Sequence, residues 1–238
     1  MGAIGVAGNA RRPGTRWPGK STRAASPIRE RGGFHVTQPK VAVIYYSSTG
    51  NVHTLAESVA EGAEAAGARV RIRRVRELAP DAAIDSNPAW RAHLDATADV
   101  PEATPEDIRW ADAVIFGTPT RYGNVAAQLK QFIDSLGGEW AKGQLQDKVY
   151  SGFVSTGTAH GGRESTLLAL YNTVHHFGGI LVTPGYTDPI QYEVGTPYGP
   201  SHTDGQGTIP VSEETKKSAQ FAGRRVTEVA AKLAPAGS

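Results

Sequence analysis

Hydrophobic and polar positions follow two rhythms along most of this chain. KVAVIYY (40–46) is a run of β-branched and aromatic residues that predicts a buried strand, and behind it Val52, Leu55, Ala56, Val59, Ala60 and Ala63 recur at helical spacing. ARVRIRRV (68–75) reads as a second strand and 76–104 as an irregular stretch. TPEDIRWAD is a short helix opened by Thr104-Pro105 and an acidic first turn, and DAVIFG (112–117) is a third strand. Val125, Leu129, Phe132, Ile133 and Leu136 mark a helix, and KVYSGFVS (148–155) a strand. Leu167, Leu168, Tyr171, Val174 and His175 mark the next helix, with GILVTP (179–184) as a strand after it. Ala219, Ala222, Val226, Val229, Ala230 and Leu233 close the pattern as a helix.

Five β-then-α units in succession predict an α/β fold: a doubly wound, five-stranded parallel sheet with helices on both faces, because parallel neighbours require right-handed crossovers. The segment 185–211 is too long for a tight connection and reads as an irregular, functional excursion.

Composition narrows the chemistry. The chain has 238 residues, 39% of them hydrophobic, enough for one such domain. It contains no cysteine, which excludes disulfides and thiolate metal sites, so redox chemistry here requires a bound cofactor. No metal-ligand set and no catalytic side chain is assigned. No apolar run approaches the roughly 20 residues of a membrane span, and the first residues lack the apolar region of a secretory signal. Myristoylation at Gly2 requires Ser or Thr where Val6 stands. A cytoplasmic protein is expected.

The formal charge of +2 conceals a division, since residues 1–39 carry seven Lys/Arg against Glu30 alone. Residues 1–38 are expected to be a basic, disordered extension, rich in Gly, Pro, Ser and Arg, ahead of a domain from 39 to 238. Gly14 to Ser21 fits the phosphate-loop pattern G-x-x-x-x-G-K-[ST], but no strand precedes it and no helix follows, so it is read as a chance match. A nucleic-acid partner is not expected from this arm.

In doubly wound folds ligands bind beyond the carboxyl ends of the strands. Three strand-end loops, Ser47–Val52, Thr118–Asn124 and Ser155–Gly162, consist largely of Ser, Thr, Gly and Asn. In the first, Ser47, Ser48, Thr49, Gly50 and Asn51 precede a helix beginning near Val52, a combination of hydroxyls, free amides and helix dipole that suits an anion. The alternative is that these side chains simply cap the helix. No basic residue lies in the loop, which fits a phosphate that is held rather than transferred. Pro119, Arg121, Tyr122 and Asn124 are placed to accept a flat ring, with Tyr122 as an apolar wall. Together the loops describe a crevice for a phosphate and a planar heterocycle.

YYSSTGNV, FGTPTRYGN, GGEW (137–140), STGT (155–158), His175-His176 and GTPYG (195–199) together resemble the WrbA-type NAD(P)H:quinone oxidoreductases of the flavodoxin-like superfamily. The resemblance spans Lys40 to the last helix. It implies a flavodoxin-like fold, non-covalent FMN, and homotetramers, dimers of dimers, whose subunits complete one another's sites. It implies that Ser47 to Val52 wrap the FMN phosphate. Thr120, Arg121, Tyr122, Gly123, Asn124 and Val125, with Ser155, Thr156, Gly157, Thr158, Gly161 and Gly162, would line the ribityl chain and ring, and Arg121 would hold the charge of reduced flavin. Trp140 corresponds to a tryptophan that shapes the shared nicotinamide and quinone pocket, with Thr49 beside it, and His175 or His176 to a histidine at the flavin edge. From the residues alone, His175 reads equally as a core histidine and Trp140 as ordinary packing.

The implied activity is ping-pong, two-electron reduction of quinones by NAD(P)H. A flavodoxin-type FMN electron carrier without an NAD(P)H site is the alternative, and a non-enzymatic binding module a third reading. The chain departs from the resemblance at Thr49, where enterobacterial relatives carry an aromatic residue, and in STGTAHGG, one residue longer than STGTGGG.

Overall fold

A computed structural model describes residues 38–234. The basic extension, apart from Gln38, and the phosphate-loop-like pattern at 14–21 lie outside the described residues. In chain order the elements are β1 (Lys40–Tyr45), α1 (Asn51–Ala65), β2 (Arg69–Arg74), α2 (Asp81–Asp85), α3 (Pro88–Ala96), α4 (Pro105–Trp110), β3 (Ala113–Arg121) and β4 (Asn124–Val125). Then come α5 (Ala127–Asp134), α6 (Gly137–Ala141), β5 (Val149–Thr156), α7 (Arg163–Phe177), β6 (Ile180–Leu181), α8 (Pro189–Val194), β7 (Ser201–Thr203) and α9 (Glu213–Leu233).

Strand order β2-β1-β3-β5-β6 is the parallel arrangement expected, with the direction of winding reversing between β1 and β3. The central strands are buried along nearly their whole length, and successive side chains of β1 join opposite cores because they point to opposite faces. Val41, Val43 and Tyr45 pack with α1 and α9 residues such as Leu55, Val59 and Val226. Ala42, Ile44 and Tyr46 belong to the opposite core with Leu129, Phe132, Leu170 and Val174. Where α1 meets α9 the backbones nearly touch: a Cβ on Gly62 would overlap the Gln220 carbonyl oxygen, and one on Gly223 that of Val59. Both glycines sit inside helices, where they cost about 1 kcal/mol each relative to alanine, so close approach is what retains them.

Four expectations need correction. The stretch 76–104 contains α2 and α3 rather than irregular chain. No residue of α3 is fully buried, so it carries no apolar stripe to read; its signal is the Asn87-Pro88 start, with the Asn87 side chain accepting from the Ala89 N–H. The strand expected at 179–184 shrinks to β6, two residues long.

The excursion 185–211 is not irregular throughout, since it forms α8 and β7. β6 pairs with the start of β5 at Val149 and Tyr150, whereas β7 pairs with its end from Val154 to Thr156, so two short strands share the fifth lane of the sheet. The excursion thereby returns the chain to the carboxyl edge.

The third strand is longer than expected. β3 continues to Arg121 and folds back through Tyr122 (φ 52°) and Gly123 (φ 77°) onto β4, a two-residue hairpin with both central residues left-handed. Among the described residues no helix is long and apolar enough to cross a membrane.

Candidate functional site

The three strand-end segments converge. A crevice of about 80 Å³ at the carboxyl edge is lined by Ser47, Ser48, Thr49, Asn51 and Val52 after β1, by Pro119, Thr120 and Arg121 at the end of β3, and by Ser155, Thr156 and Gly157 at the end of β5. Asp204, just beyond β7, completes the lining.

The capping alternative fails at the first loop. The residue before α1 is Gly50, in a left-handed conformation (φ 104°) that a side chain would strain, and no side chain caps the helix. Ser47 Oγ instead accepts from the Gly50 N–H at 3.1 Å, closing the loop on itself. Ser48 and Thr49 thus present hydroxyls, and α1 its first-turn amides, to the crevice rather than to each other.

A second observation points to a missing acceptor or donor at the same place. Ser155 is buried, yet its Oγ has no hydrogen-bond partner among the described residues. A buried hydroxyl left unpaired costs about 1–3 kcal/mol, so a polar ligand in the crevice would relieve it. Its neighbour Thr156 is paired, donating to the Thr158 carbonyl oxygen at 2.9 Å.

The remaining expected residues are placed as follows. Thr120 Oγ1 lies 2.7 Å from Thr166 Oγ1 on α7 and accepts from the Gly123 N–H, locking the hairpin to the α7 start. Tyr122 at the hairpin tip is fully exposed, so within one chain it forms no wall of the crevice. Asn124 and Val125 form β4, with Asn124 Nδ2 donating to the Tyr122 carbonyl oxygen. Thr158, Gly161 and Gly162 form the turn into α7, where the Gly161 N–H donates to the Thr158 carbonyl oxygen. They border the crevice but do not line it.

His175, His176 and Trp140 are elsewhere. α7 runs away from the crevice, and at 1.5 Å per residue its last turn is about 20 Å from Arg163. The buried face is Leu167, Leu170, Tyr171 and Val174. Leu168 and His175, seven residues apart, share the outer face and are exposed, so the core-histidine reading is wrong. Trp140, on α6, is 57% exposed and donates from Nε1 to the His176 carbonyl oxygen at 2.9 Å, which also removes it from the core. With Ile133, Leu136, Ala169 and Phe177, Trp140 and His176 line a separate, largely apolar groove.

Two residues near the first loop were not expected at the site from the sequence. Asp204 follows the short strand β7 and precedes a glycine, a turn signature inside a stretch read as irregular. His93, on α3, packs against Gly50, its Nδ1 lying 3.6 Å from where a Cβ would stand. The His93 ring is 5.5 Å from that of His53, whose Nδ1 lies 2.6 Å from Tyr45 Oη. Burial, reinforced by the charge of His53, pushes His93 down to about 4.

A half-buried network brings this helix into place. Glu77 accepts from Tyr46 Oη (2.8 Å), Trp90 Nε1 (3.0 Å), Gln128 Nε2 (2.7 Å) and the Leu78 and Ala79 N–H groups. Burial by itself would raise this carboxyl, but the converging donors outweigh it and hold it below the ordinary range.

Residues 39–187 match the NADPH-dependent FMN reductase family. A protein of Deinococcus radiodurans named NAD(P)H dehydrogenase (quinone) is 45% identical over 196 residues, covering 82% of this chain and 96% of its own. A protein of the same name from Aromatoleum aromaticum is 45% identical over 201 residues, covering 82% and 97%. Among solved structures, a flavodoxin, WrbA-like protein from Agrobacterium tumefaciens superposes with a TM-score of 0.59 at 27% identity, over 82% of this chain and 99% of that one. An archaeal flavodoxin, at 16% identity and a TM-score of 0.53, shares the fold. The chain therefore belongs to the NADPH-dependent FMN reductase family, among its WrbA-like NAD(P)H dehydrogenases (quinone).

Proposed function

We propose that the protein is an FMN-dependent NAD(P)H:quinone oxidoreductase that works by a ping-pong cycle. The observation that carries this reading is the crevice itself, where an uncapped helix N-terminus and the unpaired, buried Ser155 hydroxyl face one space. These groups fit FMN, which offers a phosphate and hydroxyls to pair with them. When bound, FMN supplies the capacity to accept and return two electrons with a proton, chemistry that no side chain of a cysteine-free protein provides.

The chain's own residues bind and orient. Ser47 to Val52 hold the phosphate through backbone amides and the Ser48 and Thr49 hydroxyls, with the α1 dipole behind them. Ser155 and Thr156 would hold the ribityl chain, and Thr120, Arg121 and Gly157 would border the ring, with the hairpin tip Tyr122 to Val125 and the turn Thr158 to Gly162 around them. Arg121 is the basic residue of the lining, and its guanidinium would stabilise negative charge on a bound flavin.

NAD(P)H and the quinone would occupy one pocket in turn. Trp140, His175 and His176 are too far from the crevice of their own chain to touch it, so they act on the site of a neighbouring subunit in a homotetramer. The exposed indole of Trp140 and its apolar groove support that assignment. The extension before Lys40 lies outside the catalytic unit, and the protein works in the cytoplasm.

The purified protein should show flavin absorption bands and oxidise NADH or NADPH with benzoquinone, with parallel double-reciprocal lines at varied quinone. A colourless protein that takes up no FMN refutes the reading; a yellow protein without turnover identifies an electron carrier. Removing residues 1–38 should leave FMN affinity and turnover unchanged.

A further inference from the structure

Asp204 brings a carboxylate to a crevice otherwise built for an anion. Its Oδ2 accepts from Asn51 Nδ2 at 3.3 Å and its Oδ1 from the Gln206 N–H at 2.9 Å. Its backbone carbonyl accepts from Gly207 and Ile209. The side chain is therefore held in position by a tight turn and by the first residue of α1.

Both side-chain partners are neutral. Among the described residues Asp204 forms no ion pair where it lines the crevice with the loop Ser47–Val52, and Arg121 is the cation of that lining. A carboxylate at this helix N-terminus also competes for the partial positive charge that favours a bound phosphate.

Resting on the FMN reading above, we propose that Asp204 sets the affinity for the flavin's phosphate, keeping FMN exchangeable and narrowing the protein's preference for it over riboflavin. The excursion thus contributes a repulsive element, and discrimination between ligands depends on such elements as much as on attractive ones. With a phosphate of about −1.5 to −2 charges in the crevice, Coulomb repulsion at near-solvent dielectric weakens binding about five- to tenfold.

The test compares FMN and riboflavin binding to the full-length, flavin-free protein by flavin fluorescence, in the parent and in Asp204→Asn. Asparagine keeps the acceptor for the Gln206 N–H and the contact with Asn51 while removing the charge. FMN affinity should rise about five- to tenfold at low salt with riboflavin affinity unchanged, and the gain should shrink near 1 M salt, where the screening length is about 3 Å. Asp204→Ser, which also keeps an acceptor for the turn, should move FMN affinity in the same direction. Unchanged or weaker FMN binding in both variants overturns the proposal. Equal shifts for both flavins overturn it too, because they show that Asp204 only shapes the turn. If the parent binds neither flavin, the FMN reading itself fails, a result distinct from FMN binding that ignores Asp204.

Discussion

Removing the Ser155 hydroxyl should push the flavin-free and flavin-bound states in opposite directions. Ser155 lies at the end of β5 with 4% of its surface exposed, lines the crevice, and has an Oγ without a partner among the described residues. In the flavin-free protein that oxygen carries a desolvation cost of about 1–3 kcal/mol, and Ser155→Ala deletes it while losing one small atom of packing. Stability should rise by about 1 kcal/mol, a melting shift of about 2–4 °C for a domain of this size.

With FMN bound the balance reverses, because the hydroxyl then makes a hydrogen bond worth about 0.5–1.5 kcal/mol, or about 1.5–3 if its partner is charged. The two effects add in the binding equilibrium, since the variant both stabilises the empty protein and loses a contact in the complex. FMN affinity should fall by about tenfold or more, each factor of ten being about 1.4 kcal/mol. Thermal unfolding of the flavin-free protein and titration with FMN measure the two halves separately. A flavin-free variant less stable than the parent, or an FMN affinity unchanged within about twofold, would show that the orphaned hydroxyl is not aimed at the cofactor.

Further tests address the surroundings of the site. Gly223→Ala places a methyl group against the Val59 carbonyl oxygen and forces α1 from α9; it should destabilise the protein by about 2–4 kcal/mol despite alanine's helix preference, measured by urea unfolding. His93 titrates near 4 in the folded protein against an ordinary 6.5, so the unfolded chain binds more protons between those values. Its stabilising contribution is therefore complete above pH 6.5 and is lost as pH falls towards 4. After allowance for partial solvent access, His93→Gln should flatten the stability profile by about 1–2 kcal/mol across that window. Tyr122→Asn puts a residue tolerant of left-handed backbone at φ 52° and should raise the denaturant midpoint by an amount equivalent to about 1 kcal/mol.

Local patterning determined the order of strands and helices here. The continuous apolar run KVAVIYY marks a strand buried on both faces, and the i, i+3, i+4 spacing from Val52 to Ala63 follows from the helical period of 3.6 residues; the period of 2.0 reappears as the two cores on either side of β1. The composition of three strand ends also marked the crevice, because a doubly wound sheet brings those ends to one edge.

Tertiary structure decided what depends on distant segments meeting. Asp204 reaches Asn51 across 153 residues only because β7 takes the end of the fifth lane that β6 leaves open. His93 reaches Gly50 because Glu77 gathers donors from Tyr46 just after β1, from α3 and from α5, a convergence with no period in the sequence. His175 and Trp140 turned outward because the core beneath α7 was already filled by Leu167, Leu170, Tyr171 and Val174. Hydrophobic spacing states which side of an element is apolar, but which remote polar group completes a pocket is set by packing between elements, where burial energy has no memory of sequence distance.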